Sequence, residues 1–272
     1  MTKNSLNQAI FSALSKRDLP DLLRLIEKGL ASGHDWQGLN VNIANQMVEL
    51  FPWDLVRSLL PRGSLILHES GWVRSLRESR PVNVQGDPVP WFTYPAIDFL
   101  DDMTHSSMRV FEWGSGTSTI WWSRRIQSIF SVEDHAEWYR SMKPVLPSNA
   151  TIIFAEEGRY VHAIEAVGGD FDIIVIDGSY RDSCFEKAKD FVKADGLIIF
   201  DNSDRGEHND LFVRAKASGW NRLDFWGLTP SYHYKNCTSV LFRDVSAIQC
   251  RNVPSAHQAS AGLSCSQALE RI

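Results

Sequence analysis

The 272-residue chain reads as an α/β protein built on a mostly parallel, doubly wound sheet. Three observations predict this. From Met108 onward, short runs rich in Ile, Val and Phe alternate with amphipathic stretches, the rhythm of strands joined by crossover helices. The runs are apolar along their length, as strands covered on both faces require. Each of the five runs also carries an acidic residue at its C-terminal end or next to it, and the carboxyl edge of an open α/β sheet is where its ligands bind.

The five runs are MRVFEW, IQSIFSVE, ATIIFAE, FDIIVIDG and GLIIFDN. The candidate helices between them are TSTIWWSRR, HAEWYRSMKPVL, YVHAIEAV and CFEKAKDFVKA. WNRLDFWGL and TSVLFRD follow, joined by TPSYHYKNC, and pair as an antiparallel edge hairpin that brings the sheet to seven strands. Upstream, YPAIDFLDDM reads as a helix with Pro95 in its first turn. From Ser64 to Pro90 the pattern breaks up, and PVNVQGDPVPW reads as a linker or loop. Residues 1 to about 60 read as helical: Leu19, Leu22, Leu23, Ile26 and Leu30 form one apolar stripe, Gly33 is a stop signal, and IANQMVELF precedes Pro52. The expected organisation is an N-terminal helical extension and linker over 1–85, the α/β domain over 86–244, and a flexible Ser/Ala/Gln-rich tail over 245–272. The N-terminal helices have three readings: a substrate lid, a homodimer surface or a packing cap.

Bulk properties narrow the function classes. Hydrophobic residues make up 43% and charged residues 22%, ordinary for a soluble globular protein. A net charge of −5 argues against a nucleic-acid binder held by phosphate contacts. No run of about 18 apolar residues exists to span a membrane. The N-terminus lacks an uninterrupted apolar targeting core, so a cytoplasmic protein is expected. Cys184, Cys237, Cys250 and Cys265 form no C-x-x-C pair and no zinc-ligand spacing with histidine, so free thiols are expected.

The chemistry concentrates around VFEWGSGTST. A dinucleotide fold wants G-x-G-x-x-G after its first strand; here the positions hold Gly114, Gly116 and Thr119, without the third glycine. No G-K-[ST] follows, so this is not a P-loop. Glu112, Glu133, Glu156 with Glu157, Asp177 and Asp201 fall at the ends of successive strands. A crevice lined by carboxylates is a poor pyrophosphate site and a good one for a ligand with positive charge and ribose hydroxyls.

VFEWGSGTST, SVEDHAEWY, DIIVIDG and GLIIFDN together resemble the ordered motifs of class I S-adenosylmethionine-dependent methyltransferases, over roughly residues 90 to 243. The chain is also similar to a subgroup in which PWFTYPAIDFL precedes the glycine loop and the fourth strand ends in IDGSYR. The resemblance implies a Rossmann-like fold, S-adenosylmethionine as cofactor and methyl transfer to a small-molecule acceptor, at a hydroxyl oxygen by expectation. By the same resemblance Glu112, Gly114, Ser115 and Gly116 cradle the amino-acid part of the cofactor. Glu133 holds the ribose, and Glu156 lies near the adenine, with Glu157 an equal candidate. Asp177 borders both cofactor and acceptor. Thr93 and Tyr94 have two readings, cofactor contact and packing; Trp121 and Trp122 read as packing.

For the acceptor's proton, Asp177, Arg181 and His233 are the catalytic candidates, with His208 a second histidine. Arg181 is always cationic, so its reading is a partner for Asp177 or an anchor for an acidic substrate. Asp177, Asp201 and Asn202 resemble the oxygen-ligand set of cation-dependent O-methyltransferases, which makes Mg²⁺ a candidate metal. Asp201 and Asn202 equally suit a strand-end turn. Two alternatives remain open: a catalytically silent nucleoside-binding or regulatory protein on the same fold, and a nicotinamide dehydrogenase.

Overall fold

The computed structural model describes residues 69–232 and 234–248 throughout, with positions 6, 8–10, 12, 13, 16, 21, 24, 25 and 67 before them. His233, Cys250, Cys265, the Leu19–Leu30 stripe, the IANQMVELF stretch and the tail beyond residue 248 lie outside the described residues. The described residues fall into two compact units, one up to Gln85 and one from Gly86. Among them, no helix is long and apolar enough to cross a membrane.

In the first unit, α1 (Trp72–Glu78) stands where the sequence suggests a loop. It buries Val73 and Leu76, three residues apart, with Ser75 beside them. The Ser75 hydroxyl donates to the carbonyl of Val82 at 2.8 Å and accepts from its N–H at 3.0 Å, clasping the helix to the segment after it. Gly71 precedes the helix at φ 83°, where an added Cβ would lie 2.4 Å from the backbone of Asn83.

The second unit opens with α2 (Tyr94–Met103), which matches the sequence expectation residue for residue. Then follow β1 (Arg109–Trp113), α3 (Thr117–Ser123), β2 (Ser128–Glu133), α4 (Ala136–Met142), β3 (Ala150–Phe154), α5 (Ala163–Val167), β4 (Phe171–Ile176), α6 (Arg181–Ala188), β5 (Val192–Asp201), α7 (Asn209–Ala217), β6 (Asn221–Leu228) and β7 (Lys235–Phe242). The sheet runs β3-β2-β1-β4-β5-β7-β6. The first five strands are parallel; β7 is antiparallel to β5, and β6 to β7. This is the Rossmann-like, seven-stranded, doubly wound sheet with a C-terminal antiparallel hairpin that the sequence predicts.

Several boundaries differ: α5 starts three residues late, at Ala163, and β7 starts at Lys235, inside the expected loop. CFEKAKDFVKA does not form a single helix: α6 starts earlier, at Arg181, and Val192 already belongs to β5, paired with Phe171 across a register irregularity. The polar, helix-like spacing of this stretch is overridden by a pairing to a distant strand. The expected tail also begins in order, with Val245–Ile248 a short 3₁₀ turn that buries Ala247.

The strand period of two divides the central residues between two cores. Phe111, Trp113, Ile174, Ile176, Ile198 and Phe200 face one, with Phe185 and Leu211 from α6 and α7. Val110, Ile173, Val175 and Ile199 face the other, with Leu100 and Trp122 from α2 and α3. On that alternation Glu112 and Asp201 take the second face, which explains why both are buried.

The chain moves outward from β1 through β2 to β3, then returns to β4 on the other side of β1. The topological switch point therefore lies between β1 and β4, where such folds open a ligand crevice. Its floor is a contact between two glycines. Gly114 (φ 97°) and Gly178 approach so closely that a Cβ on Gly178 would lie 2.9 Å from the Gly114 nitrogen and 1.9 Å from the Tyr160 hydroxyl oxygen. Tyr160 is itself buried and accepts the Trp113 indole N–H at its carbonyl, 3.0 Å away. Gly178→Ala is expected to lower stability by about 1–3 kcal/mol, the range for overpacking. A urea midpoint indistinguishable from the parent's would contradict this contact.

Candidate functional site

Glu112 lies one residue before the end of β1, and its register partner on β2 is Ser131. The Ser131 hydroxyl donates to Glu112 Oε2 at 2.8 Å, and the Thr119 hydroxyl donates to the same oxygen at 2.5 Å. Thr119 Oγ1 in turn accepts the Gly116 N–H at 3.0 Å, so the acid, the glycine loop and the first turn of α3 form one network. Glu112 Oε1 is buried and, among the described residues, no donor stands within hydrogen-bond geometry of it. Burial pushes the carboxyl up to about 7, against the hydroxyls of Ser118, Thr119 and Ser131 that favour its charge.

Glu133 ends β2. Its Oε2 accepts the Ser115 N–H at 3.2 Å and hydroxyl at 2.8 Å; its Oε1 accepts the His135 N–H at 2.9 Å. A carboxylate offers about four acceptor positions, so Oε1 keeps capacity for a further donor. The Trp138 indole N–H donates to the Ser115 carbonyl at 2.7 Å and braces the loop from α4. Gly116 differs from Gly114. Its backbone is not left-handed, and an added Cβ would meet nothing nearer than the Ser118 hydroxyl, 3.9 Å away. That glycine leaves room rather than a turn.

Beyond Glu133, a cleft of about 710 Å³ is lined by Asp134, Glu156, Glu157, Gly158, Arg159 and Tyr180. Both Glu156 and Glu157 are exposed on its wall, so the sequence alternative between them stands. Tyr180, at φ 51° before α6, also lines a second cleft of about 580 Å³ with Arg181, Ser183, Arg205 and His208.

The ends of β4 and β5 meet at Arg181, on the wall of the second cleft. Arg181 makes four hydrogen bonds there: to the carbonyls of Asp177, Gly178 and Asp201, and to Asp177 Oδ1 at 3.2 Å. The sequence left Arg181 two roles, and its donors go to the first: it ties two strand ends together and holds Asp177. Asp201 pairs in register with Thr238, whose hydroxyl donates to Asp201 Oδ1 at 2.5 Å. Burial, then the charge of Asp177, pushes the Asp201 carboxyl well above the usual carboxylate range. Burial also raises Asp177, with Arg181 pulling the other way. Each carboxyl bears on the other: the Asp201 side chain favours the charged form of Asp177, and the charge of Asp177 raises Asp201.

This geometry gives the expected magnesium set no support. Arg181 already supplies the cation at Asp177, a proton is favoured at Asp201, and Asn202 Oδ1 accepts from Arg205 at 2.8 Å. Among the described residues, no group of three or more His, Cys, Asp or Glu is placed to hold a metal ion. Of the histidines, His233 lies outside the described residues. His208 is buried beside Phe200, with Nδ1 2.6 Å from Asp182. Thr93 spends its N–H on Thr238 and its hydroxyl on the Phe225 carbonyl, and Trp121 and Trp122 pack edge to face in the core. These three are packing residues. Cys184 and Cys237 are buried free thiols.

Sequence reasoning missed Trp138, Tyr180, Ser131 and the Gly178 contact. Trp138 lies one turn into the helix that follows the strand-end acid Glu133, and that placement was its only local signal.

No family model and no curated protein matches the chain. Among solved structures it is similar to an O-methyltransferase from Bacillus cereus in complex with SAH, at 16% identity over 72% of this chain and 100% of that one, with a TM-score of 0.47. It is also similar to a spermidine synthase from Thermotoga maritima (13% identity, 63% of this chain and 66% of that one, TM-score 0.43). A precorrin 8w decarboxylase from Methanobacterium thermoautotrophicum matches at 16% identity over 61% and 97%, with a TM-score of 0.42. At that level of likeness, function has to be read from the chain's own residues.

Glu112 provides a check on the site's electrostatics. Its folded value lies above its unfolded one, so the native state holds the extra proton and the group costs stability as pH rises from about 4.5 through 7. The full cost is roughly 3 kcal/mol, since each unit is worth about 1.4 kcal/mol. Glu112→Gln, which carries no charge to ionise, is expected to match the parent near pH 5 and to gain on it progressively toward pH 8. Melting temperatures across that range test this; a difference that does not change with pH would show that Glu112 ionises freely.

Proposed function

We propose that the chain is an S-adenosylmethionine-dependent methyltransferase acting on a small-molecule acceptor at a hydroxyl oxygen. The observation that carries this reading is the set of carboxylates around the glycine loop at the switch point: Glu112, Glu133, Asp134 and the Glu156–Glu157 pair. Phosphates would be repelled there, whereas a cation with ribose hydroxyls finds acceptors.

The residues fit such a cofactor. Glu133 Oε1 has acceptor capacity left for a ribose hydroxyl. Glu112 Oε1 is an orphaned buried oxygen, and a positive charge nearby favours its ionised form. Space above Gly116 admits the amino-acid part, and the acid-lined cleft with Tyr180 suits the nucleoside. When bound, the cofactor supplies an electrophilic methyl group on a sulfonium sulfur.

The chain's own contribution is position and proton transfer. Asp177 is 21% exposed, directly precedes Gly178 on the wall of the second cleft and is fixed by Arg181. A carboxylate whose proton affinity is raised is a better general base for a hydroxyl. In this reading Asp177 accepts the acceptor's proton. Arg181 is its positioning residue and takes no proton. Asp201, protonated, keeps the pair from carrying two charges.

Calorimetric titration with S-adenosylhomocysteine tests the cradle. Glu133→Ala is expected to lose on the order of 1–3 kcal/mol of binding. Gly116→Ala is expected to lose binding with its urea midpoint unchanged, because its Cβ meets the ligand's space and not the protein. Full binding by both variants would remove the glycine loop from the cofactor site.

A further inference from the structure

Trp91, Tyr232 and Tyr234 form an aromatic ladder at the edge of the same site. The Trp91 and Tyr232 rings stack with centroids 5.6 Å apart and planes 13° apart; Tyr232 and Tyr234 follow at 5.1 Å and 30°. All three are well exposed, at 39%, 37% and 51%. Nothing in the sequence predicts this, because Trp91 precedes α2 and the tyrosines lie in the β6–β7 loop.

Dedicated bonds hold the ladder in place. The Trp91 indole N–H reaches the Pro230 carbonyl at 2.7 Å and the Ser231 hydroxyl at 3.2 Å. Ser231 takes a left-handed conformation (φ 64°), which a non-glycine residue adopts only when its surroundings enforce it. Two residues after Trp91, the Thr93 N–H donates to Thr238 Oγ1, which donates to Asp201. The ladder is thereby tied to the carboxyl pair. The charges of Asp177, Asp201 and Arg205 all bear on the Tyr232 hydroxyl, after burial and Tyr234, so the ring lies within their field.

Because the rings stack on one another, a planar ligand would extend the ladder at an end ring, Trp91 or Tyr234, both of which keep exposed surface. We propose that Trp91, Tyr232 and Tyr234 are the stacking platform for a planar aromatic acceptor, whose hydroxyl they bring to Asp177. This rests on the methyl-transfer reading above.

The test uses the full chain with saturating S-adenosylhomocysteine and two probes of similar size bearing one hydroxyl each, 2-naphthol and decahydro-2-naphthol. Only the first can stack. Calorimetry is expected to give 2-naphthol about tenfold tighter binding, in line with the worth of one stacked ring. Tyr234→Leu and Trp91→Leu keep an apolar side chain and are expected to bring the two probes within twofold of each other, with S-adenosylhomocysteine binding unchanged. Equal binding of both probes by the parent, binding of neither at millimolar concentration, or a preference that survives both substitutions would overturn the platform. Should S-adenosylhomocysteine fail to bind while the 2-naphthol preference appears and is lost in the variants, the cofactor reading falls and the platform stands.

Discussion

The structure around the site depends on Arg181. Its guanidinium is planar and permanently charged, and it spends four hydrogen bonds on the ends of two adjacent strands. Strand-end carbonyls have no ladder partner, and leaving them unpaired beside buried carboxyls is costly. One side chain satisfies them and neutralises Asp177 at once. With that cation in place, two carboxyls can stand together if one keeps its proton, and burial pushes Asp201 in that direction. Arg181 thus decides the chemistry of the edge: it occupies the position where a divalent ion would have to compete.

The glycine pair plays the corresponding part at the switch point. Gly114 and Gly178 let β1 and β4 finish against each other without side chains between them. Beside this contact the Ser115 amide and hydroxyl both donate to Glu133. In the proposed cofactor site, acceptor oxygens are thus held by protein donors before any ligand arrives. Preorganisation of this kind lowers the cost of ordering a ligand.

Much of this was legible in the residues. The runs of Ile, Val and Phe located β1 to β4 because buried parallel strands need them, and Pro95 with its apolar spacing located α2. The strand-end acids marked the edge. What the sequence hid was non-local. The β5 start at Val192 needed Phe171, α1 needed the Ser75–Val82 clasp, and the burial of Glu112 needed Ser131 and Thr119. Arg181 was recognised as a cation, but its carbonyl partners depend on how β4 and β5 align. The aromatic ladder joins residues some 140 positions apart, and no local period announces it.

The central claim is that this switch point takes a cation and refuses phosphates. The direct measurement is a calorimetric comparison of S-adenosylmethionine with NAD⁺ on the purified chain. Micromolar binding of S-adenosylmethionine with no heat from NAD⁺ is the predicted result. Binding of NAD⁺ with none of S-adenosylmethionine would contradict it and would make the carboxylate ring a feature of stability alone.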